Sequence, residues 1–439
     1  MKLLDSGHNE TLFGWHFPFL VGAISILGFF LRVLWLPSQP PSVDDFSVAI
    51  TAINYMEAGQ LGPTMWNHPA LRNLLVYWSM QLFGSGVVGV KGWCVLFGTL
   101  SIPLLAVVTR RLAGSAAAAL IAALLWTIEP LAIDFSRQGI NDIYLAFFPL
   151  LAIWCALRYD EGKIPLWLVS SGVAFGLGLA SKWSVVFPLA ATGGLLLSSL
   201  FRARLVTPRL AGRLSFLACS LVVLPLTVYL LTFYPWFGRG YSLAEWSILQ
   251  KAMYRETKLH TGYHKTIQGD HRAWEWFVRP VTYEETFFVR TVEQEAVRPP
   301  SIEENVVLLL AVANPLVWLM VLPAAVWTAW RSIRTRDRML CYMAVLFVIS
   351  YLPFAVAHRP VWVNTAVAVL PFAFMLLGYA LWDILGRSTS RRKVLAAYLA
   401  VILIISAPLY LLAIGKGLRI SYLREQLIRT FQIQHSSGD

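Results

Sequence analysis

The sequence predicts an all-α membrane protein, a bundle of about eleven transmembrane helices with a loop domain on its outer face. Three observations lead there. Of 439 residues, 57% are hydrophobic and 14% charged, against roughly 45–50% and about 25% in soluble domains. Apolar runs near twenty residues, the length that crosses a bilayer, recur along the whole chain. Lys and Arg cluster in every second connection between those runs. This excludes an ordinary soluble enzyme and a disordered chain. The net charge of +12 would suggest nucleic acid in a soluble protein. Here it is the basic excess expected on one side of a membrane, and no nucleic-acid partner is expected.

The expected spans are 15–36, 87–109, 114–132, 139–158, 165–181, 184–201, 214–236, 305–330, 339–357, 364–385 and 394–415. Backbone groups in lipid must pair internally, so runs of this length are helical. The first run is too long for a signal h-region and no small-residue cleavage site follows it, so it is expected to remain as a span. Pro69–Phe83 is short and amphipathic, which predicts a helix lying at the interface. The domain reading is an N-terminal transmembrane module over 1–236 with a first loop at 37–68, a long loop at 237–304, and C-terminal helices and tail over 305–439.

Arg110–Arg111, Arg158 with Lys163, Arg202 to Arg213, Arg331 to Arg338 and Arg387 to Lys393 all follow even-numbered spans, whereas 37–68 holds no Lys or Arg. The positive-inside rule then places the N-terminus in the cytoplasm and 37–68 outside. Cys94, Cys155, Cys219 and Cys341 lie inside apolar runs without CxxC spacing and read as core residues.

Charge held near the apolar slab is costly, so function is sought there. These residues gather at the outer ends of the spans. Asp44 and Asp45 precede the amphipathic stretch 47–58. Two readings stay open: helix N-capping, or a general base with a ligand-positioning partner. His68 precedes the interfacial helix. Arg137 and Asp142 straddle the junction of spans three and four, and Lys182 stands beside Trp183. Each cation reads as an interfacial anchor or as a contact to a phosphate. In the long loop, His264, His271, Trp274, Glu275, Trp276 and Arg279-Pro280 form the most distinctive segment. Its bland alternative is an aromatic helix seated on headgroups. The spacings of metal sites are absent, so neither a metal nor another cofactor is expected.

These residues resemble the protein O-mannosyltransferases, membrane glycosyltransferases of the GT-C fold. The family's acidic Asp-Glu pair is similar to Asp44-Asp45, and its His-Pro motif to His68-Pro69. Its Ser-Arg…Asp stretch is similar to Ser136-Arg137…Asp142, and its Cys-Lys-Trp element to Ser181-Lys182-Trp183. Its loop motif follows the order Met253, Tyr263-His264, His271, Trp274, Trp276, Arg279-Pro280, with Asn314-Pro315 beyond. The sequence departs from that pattern at Asp45, which stands for Glu, and at Arg72-Asn73, which stand for Gly-Lys. The family's late Tyr-His-Tyr-Leu-Pro motif is not preserved between Arg359 and Pro371. The loop is too short for the extra β-trefoil of the eukaryotic enzymes, which implies a minimal form.

The resemblance implies an inverting transfer of mannose from a polyprenyl phosphate to Ser/Thr hydroxyls of secreted or membrane proteins, as they are translocated. The lipid-linked sugar is then a co-substrate and membrane lipids the surroundings. Asp44 is the implied base with Asp45 beside it. Arg137, Asp142, Lys182, His264, His271 and Arg279 are the implied donor contacts, and His68, Trp274 and Trp276 position the acceptor or the loop. The implied place is a bacterial or archaeal plasma membrane rather than the ER, with chemistry on the extracytoplasmic face. Two alternatives stand beside this reading. One is a GT-C transferase that serves a glycolipid or envelope polymer. The other is a transporter or flippase, which would hold charge at mid-membrane in paired halves; the charge here collects at one face.

Overall fold

The computed structural model describes residues 7–38, 43–62, 66–202, 208–263, 272–278, 283–288, 306–357, 361 and 363–414. It is a helical bundle whose only strands among these residues form one short ribbon. The chain begins with α1 (Gly7–Val33), then α2 (Val43–Ala58) and α3 (Leu71–Phe83). Thirteen residues at 1.5 Å rise give α3 about 20 Å, too short for the roughly 30 Å hydrocarbon core. It packs on the long α4 (Val87–Ala113). After α4 the left-handed Gly114 turns the chain, and Ser115 caps α5 (Ala116–Ile128) by accepting the Ala118 N–H.

Glu129 and Pro130 end α5 and open the short α6 (Pro130–Phe135). Then come α7 (Tyr144–Gly162), α8 (Pro165–Leu179) and α9 (Val186–Arg202). A π-helical turn at Cys219–Val223 joins α10 (Pro208–Ala218) to α11 (Leu224–Leu231) in one continuous run. The short α12 (Tyr234–Gly238) and α13 (Leu243–Tyr263) follow. Strands β1 (Tyr283–Phe288) and β2 (Val306–Ala311) pair antiparallel, with Tyr283 opposite Ala311. Helices α14 (Pro315–Trp318), α15 (Val321–Thr335), α16 (Arg338–Ala355), α17 (Leu370–Leu385) and α18 (Thr389–Ala413) complete the chain.

Among the described residues, seven helical segments are long and apolar enough to cross a membrane: His16–Val33, Val87–Ala113, Trp183–Arg202, Leu210–Leu231, Pro315–Thr335, Arg338–Ala355 and Thr389–Ala413. Three shorter apolar helices, α5, α8 and α17, coincide with further expected spans. The 19-residue α7 coincides with the remaining one. One boundary is corrected. The eighth span was expected from residue 305, but 306–311 is a strand and the helices begin at Pro315. A short run of Val and Leu has no periodicity that separates helix from strand, and its pairing partner decides.

The core sits where α4, α5, α7, α8 and α17 pack together. Helix α8 reaches the α10–α11 run through glycine. An added Cβ at Gly172 would lie 1.9 Å from the Ser220 carbonyl oxygen, and one at Gly176 2.9 Å from that of Pro225. Such four-residue spacing of small side chains lets two helix backbones approach closely in lipid.

Candidate active site

The start of α2 sets the site. Asp44 and Asp45 both lie in its first turn, where free backbone N–H groups favour acidic side chains. Their fates differ. Asp45 is 2% exposed. Its Oδ2 pairs with Lys91 Nζ of α4 at 2.9 Å, and its Oδ1 accepts the Gly139 N–H at 2.7 Å. Glycine is required there, because a Cβ on residue 139 would fall 2.9 Å from that same Oδ1. Asp45 therefore ties α2, α4 and the α6–α7 connection together. Asp44 is half-buried, and no hydrogen bond or ion pair among the described residues engages its carboxylate. Burial raises its pKa, the Asp45 and Asp142 charges add to the rise, and Arg72 opposes it.

The cations around Asp44 come from distant segments. Arg72, fully buried at the start of α3, lies in the fields of Asp44 and Asp142. Its pKa is lowered by burial, against the pull of Tyr144 and these acids. Arg72 also lies beside the Asn73 amide oxygen, at 3.4 Å from its Nε. Asp142, just ahead of α7, accepts Lys182 Nζ at 2.7 Å on Oδ1 and Asn364 Nδ2 at 3.2 Å on Oδ2. Lys182 is held by the frayed end of α8. The Ala180 carbonyl accepts the Leu71 N–H at 3.0 Å, and the Ser181 carbonyl accepts Asn141 Nδ2 at 2.7 Å. Next to it, Trp183 Nε1 donates to the Tyr229 hydroxyl at 3.0 Å, which in turn donates to Gln250 of α13. Five segments thus converge on one face: the α2 start, the α3 start, the α6–α7 connection, the α8–α9 junction and the turn ahead of α17.

Arg137 is placed differently from the expected phosphate clamp. It is completely buried, and its Nη1 donates to the carbonyls of Arg32 and Leu34 at 2.8 Å each, closing the end of α1. Its Nε and Nη2 are buried without a partner among the described residues. Trp276 is 1% exposed and packs on Tyr351 and Phe354 of α16. Trp274 is exposed, and its carbonyl accepts the Tyr351 hydroxyl at 3.1 Å. The pair therefore docks the long loop on α16. His68 stands half-buried ahead of α3. His264, His271 and Arg279 lie outside the described residues.

Three buried or polar groups escaped the sequence reading, two of them at this site and one, Glu129, apart from it. Lys91 had a signal: a cation near the start of an apolar run is expensive and marks a site. Glu129 had the same signal. It is buried at the α5–α6 break and accepts the Asn314 N–H and Trp318 Nε1, each at 3.1 Å. Asn364 had none, since only the fold carries it to Asp142.

With this geometry in place, likenesses to known proteins become informative. Residues 60–239, which hold Arg72, Lys91, Asp142 and Lys182, match the family described as Dolichyl-phosphate-mannose-protein mannosyltransferase. The polyprenol-phosphate-mannose–protein mannosyltransferase of Corynebacterium glutamicum is 25% identical over 73% of this chain and 71% of its own. The solved Pmt1-Pmt2 protein O-mannosyltransferase complex of S. cerevisiae, bound to the sugar donor, superposes with a TM-score of 0.64. It covers 91% of this chain and 90% of that one at 14% identity. ArnT from Cupriavidus metallidurans, bound to undecaprenyl phosphate, gives 0.54 over 95% of this chain and 73% of that one at 16% identity. The chain accordingly has the GT-C fold of a multi-pass membrane protein, and its sequence is similar to the protein mannosyltransferases.

Proposed function

We propose that the protein transfers mannose from a polyprenyl-phosphate carrier to Ser/Thr hydroxyls of translocated proteins, with Asp44 as general base. The observation that carries this is the split between the two acids. Both oxygens of Asp45 are occupied, by Lys91 and by the Gly139 N–H, while the Asp44 carboxylate beside it is half-buried and unengaged among the described residues. A base must have a free lone pair within reach of the proton it takes.

In this reading the acceptor oxygen attacks the anomeric carbon as Asp44 takes its proton, and the carrier phosphate leaves from the opposite side, with inversion. A phosphate leaves already ionised, so it needs positive charge more than a proton. Lys182 and Arg72 supply that charge, and Asp142 and Asn364 hold Lys182 in place. The role of donor cation moves from Arg137, which closes α1, to Arg72. In this reading these side chains, and not a divalent ion, stabilise the leaving phosphate. The Arg-rich loops support a cytoplasmic opposite face and an extracytoplasmic site, and the bacterial source of the relatives supports a plasma membrane.

The test is transfer by the purified full chain from polyprenyl-phosphate mannose to a Ser/Thr peptide. Asp44→Asn is expected to lose about 10²–10⁴-fold in turnover, with unchanged activity in a chelator. Full activity of Asp44→Asn contradicts the assignment of the base. Hexose on a glycolipid, with none on peptide, contradicts the acceptor.

A further inference from the structure

The mechanism leaves unused a second charged cluster at the other end of the same helices. Arg110 lies nineteen residues beyond Lys91 on α4, about 28 Å along the axis. That is the thickness of the hydrocarbon core, so the two clusters sit at opposite headgroup levels. Here a cavity of about 690 Å³ opens among α1, α4 and α7, lined by Arg110, Arg111, Arg158 and Glu161 together with Phe17 and Trp154. Its volume lies within the range of about 300–1,000 Å³ usual for ligand sites.

We propose that this cavity binds the anionic headgroup of a membrane phospholipid, with its acyl chains along the apolar wall. Charge makes the case. Glu161 alone faces three guanidinium groups, pairing with both Arg111 and Arg158. Arg110 has no carboxylate partner among the described residues, and its guanidinium lies over the Phe17 ring, 4.4 Å from the centroid. Among the described residues the cavity therefore keeps two uncompensated positive charges. Elsewhere on the same face two cations share each carboxylate, which leaves one positive charge per group and, among the described residues, no unpaired guanidinium within it. Arg331 and Arg387 share Asp383, and Lys163 and Arg338 share Asp160. Basic pockets between transmembrane helices at headgroup depth suit anionic lipid heads. The aromatic and aliphatic wall favours a lipid over a free phosphate ion. This inference stands independently of the transferase reading.

The experiment is native mass spectrometry of the full chain in detergent, titrated separately with phosphatidylglycerol, phosphatidylcholine and inorganic phosphate. Phosphatidylglycerol is expected to bind at least tenfold more tightly than phosphatidylcholine, and millimolar phosphate to leave it bound. Arg110→Gln should weaken phosphatidylglycerol binding about fivefold, and Arg110→Gln with Arg158→Gln about 25-fold. Arg334→Gln, on α15 and outside the cavity, should leave it unchanged. Equal binding of the two lipids by the unmodified protein, displacement by inorganic phosphate, or a folded double variant that binds like the unmodified chain would each overturn the proposal. The lipid comparison on the unmodified protein holds even if a variant fails to fold.

Discussion

The two ends of α4 hold charge in opposite ways. Near its start, Lys91 is 1% exposed and locked to a buried carboxylate that also takes a backbone N–H. At its end, Arg110 and Arg111 are exposed, and Glu161 is shared between two arginines. The first arrangement fixes geometry, because each group would be costly to strand. The second fixes little, because exposed pairs are screened and mobile. Positional precision therefore belongs to the face that carries Asp44, and attraction of mobile anions to the other.

Lys91→Met should break this contrast most sharply. It strands the buried Asp45 charge and is expected to cost about 3–5 kcal/mol of stability, read by chemical denaturation in mixed micelles. An unchanged midpoint would mean that Asp45 is solvated. Gly139→Ala comes next, expected to cost about 1–3 kcal/mol because the new methyl meets the Asp45 oxygen; full additivity of Gly139→Ala with Asp45→Ala would locate the clash elsewhere. At the other end, Arg158→Gln should cost less than about 1 kcal/mol.

The pH dependence of turnover sharpens the same comparison. Burial first, then the Asp45 charge, raises the Asp44 pKa. A base works only when deprotonated, so activity is retained above that raised pKa and lost as pH falls through it. The acidic limb of kcat/KM should therefore lie above the ordinary aspartate value near 3.9. Arg72→Gln removes the cation that opposes the rise, and the limb should move to higher pH. A limb that stays put on losing Arg72 would show that another group titrates.

Much of the fold was legible. Apolar runs of bilayer length found the helices, and alternation of basic loops grouped the acids on one face. Asp44, Asp45, Asp142 and Lys182 were legible because each interrupts apolar or amphipathic sequence next to a span. Their division of labour was not. It depends on Lys91 and Gly139, 46 and 94 residues from Asp45, and on Asn364, 222 residues from Asp142. Arg137 was conspicuous for its charge, yet its task is set by carbonyls at the end of α1, which no local pattern reveals. The strand at 306–311 was hidden because a continuous apolar run reads alike in helix and ribbon.

The central claim is that two neighbouring carboxylates divide chemistry from architecture. Single-turnover transfer and unfolding midpoint, measured side by side for Asp44→Asn and Asp45→Asn, test it directly. The account predicts that Asp44→Asn slows transfer about 10²–10⁴-fold at an unchanged midpoint, while Asp45→Asn lowers the midpoint. Transfer at an unchanged rate in Asp44→Asn, or a midpoint that falls with Asp44 and holds with Asp45, would contradict it.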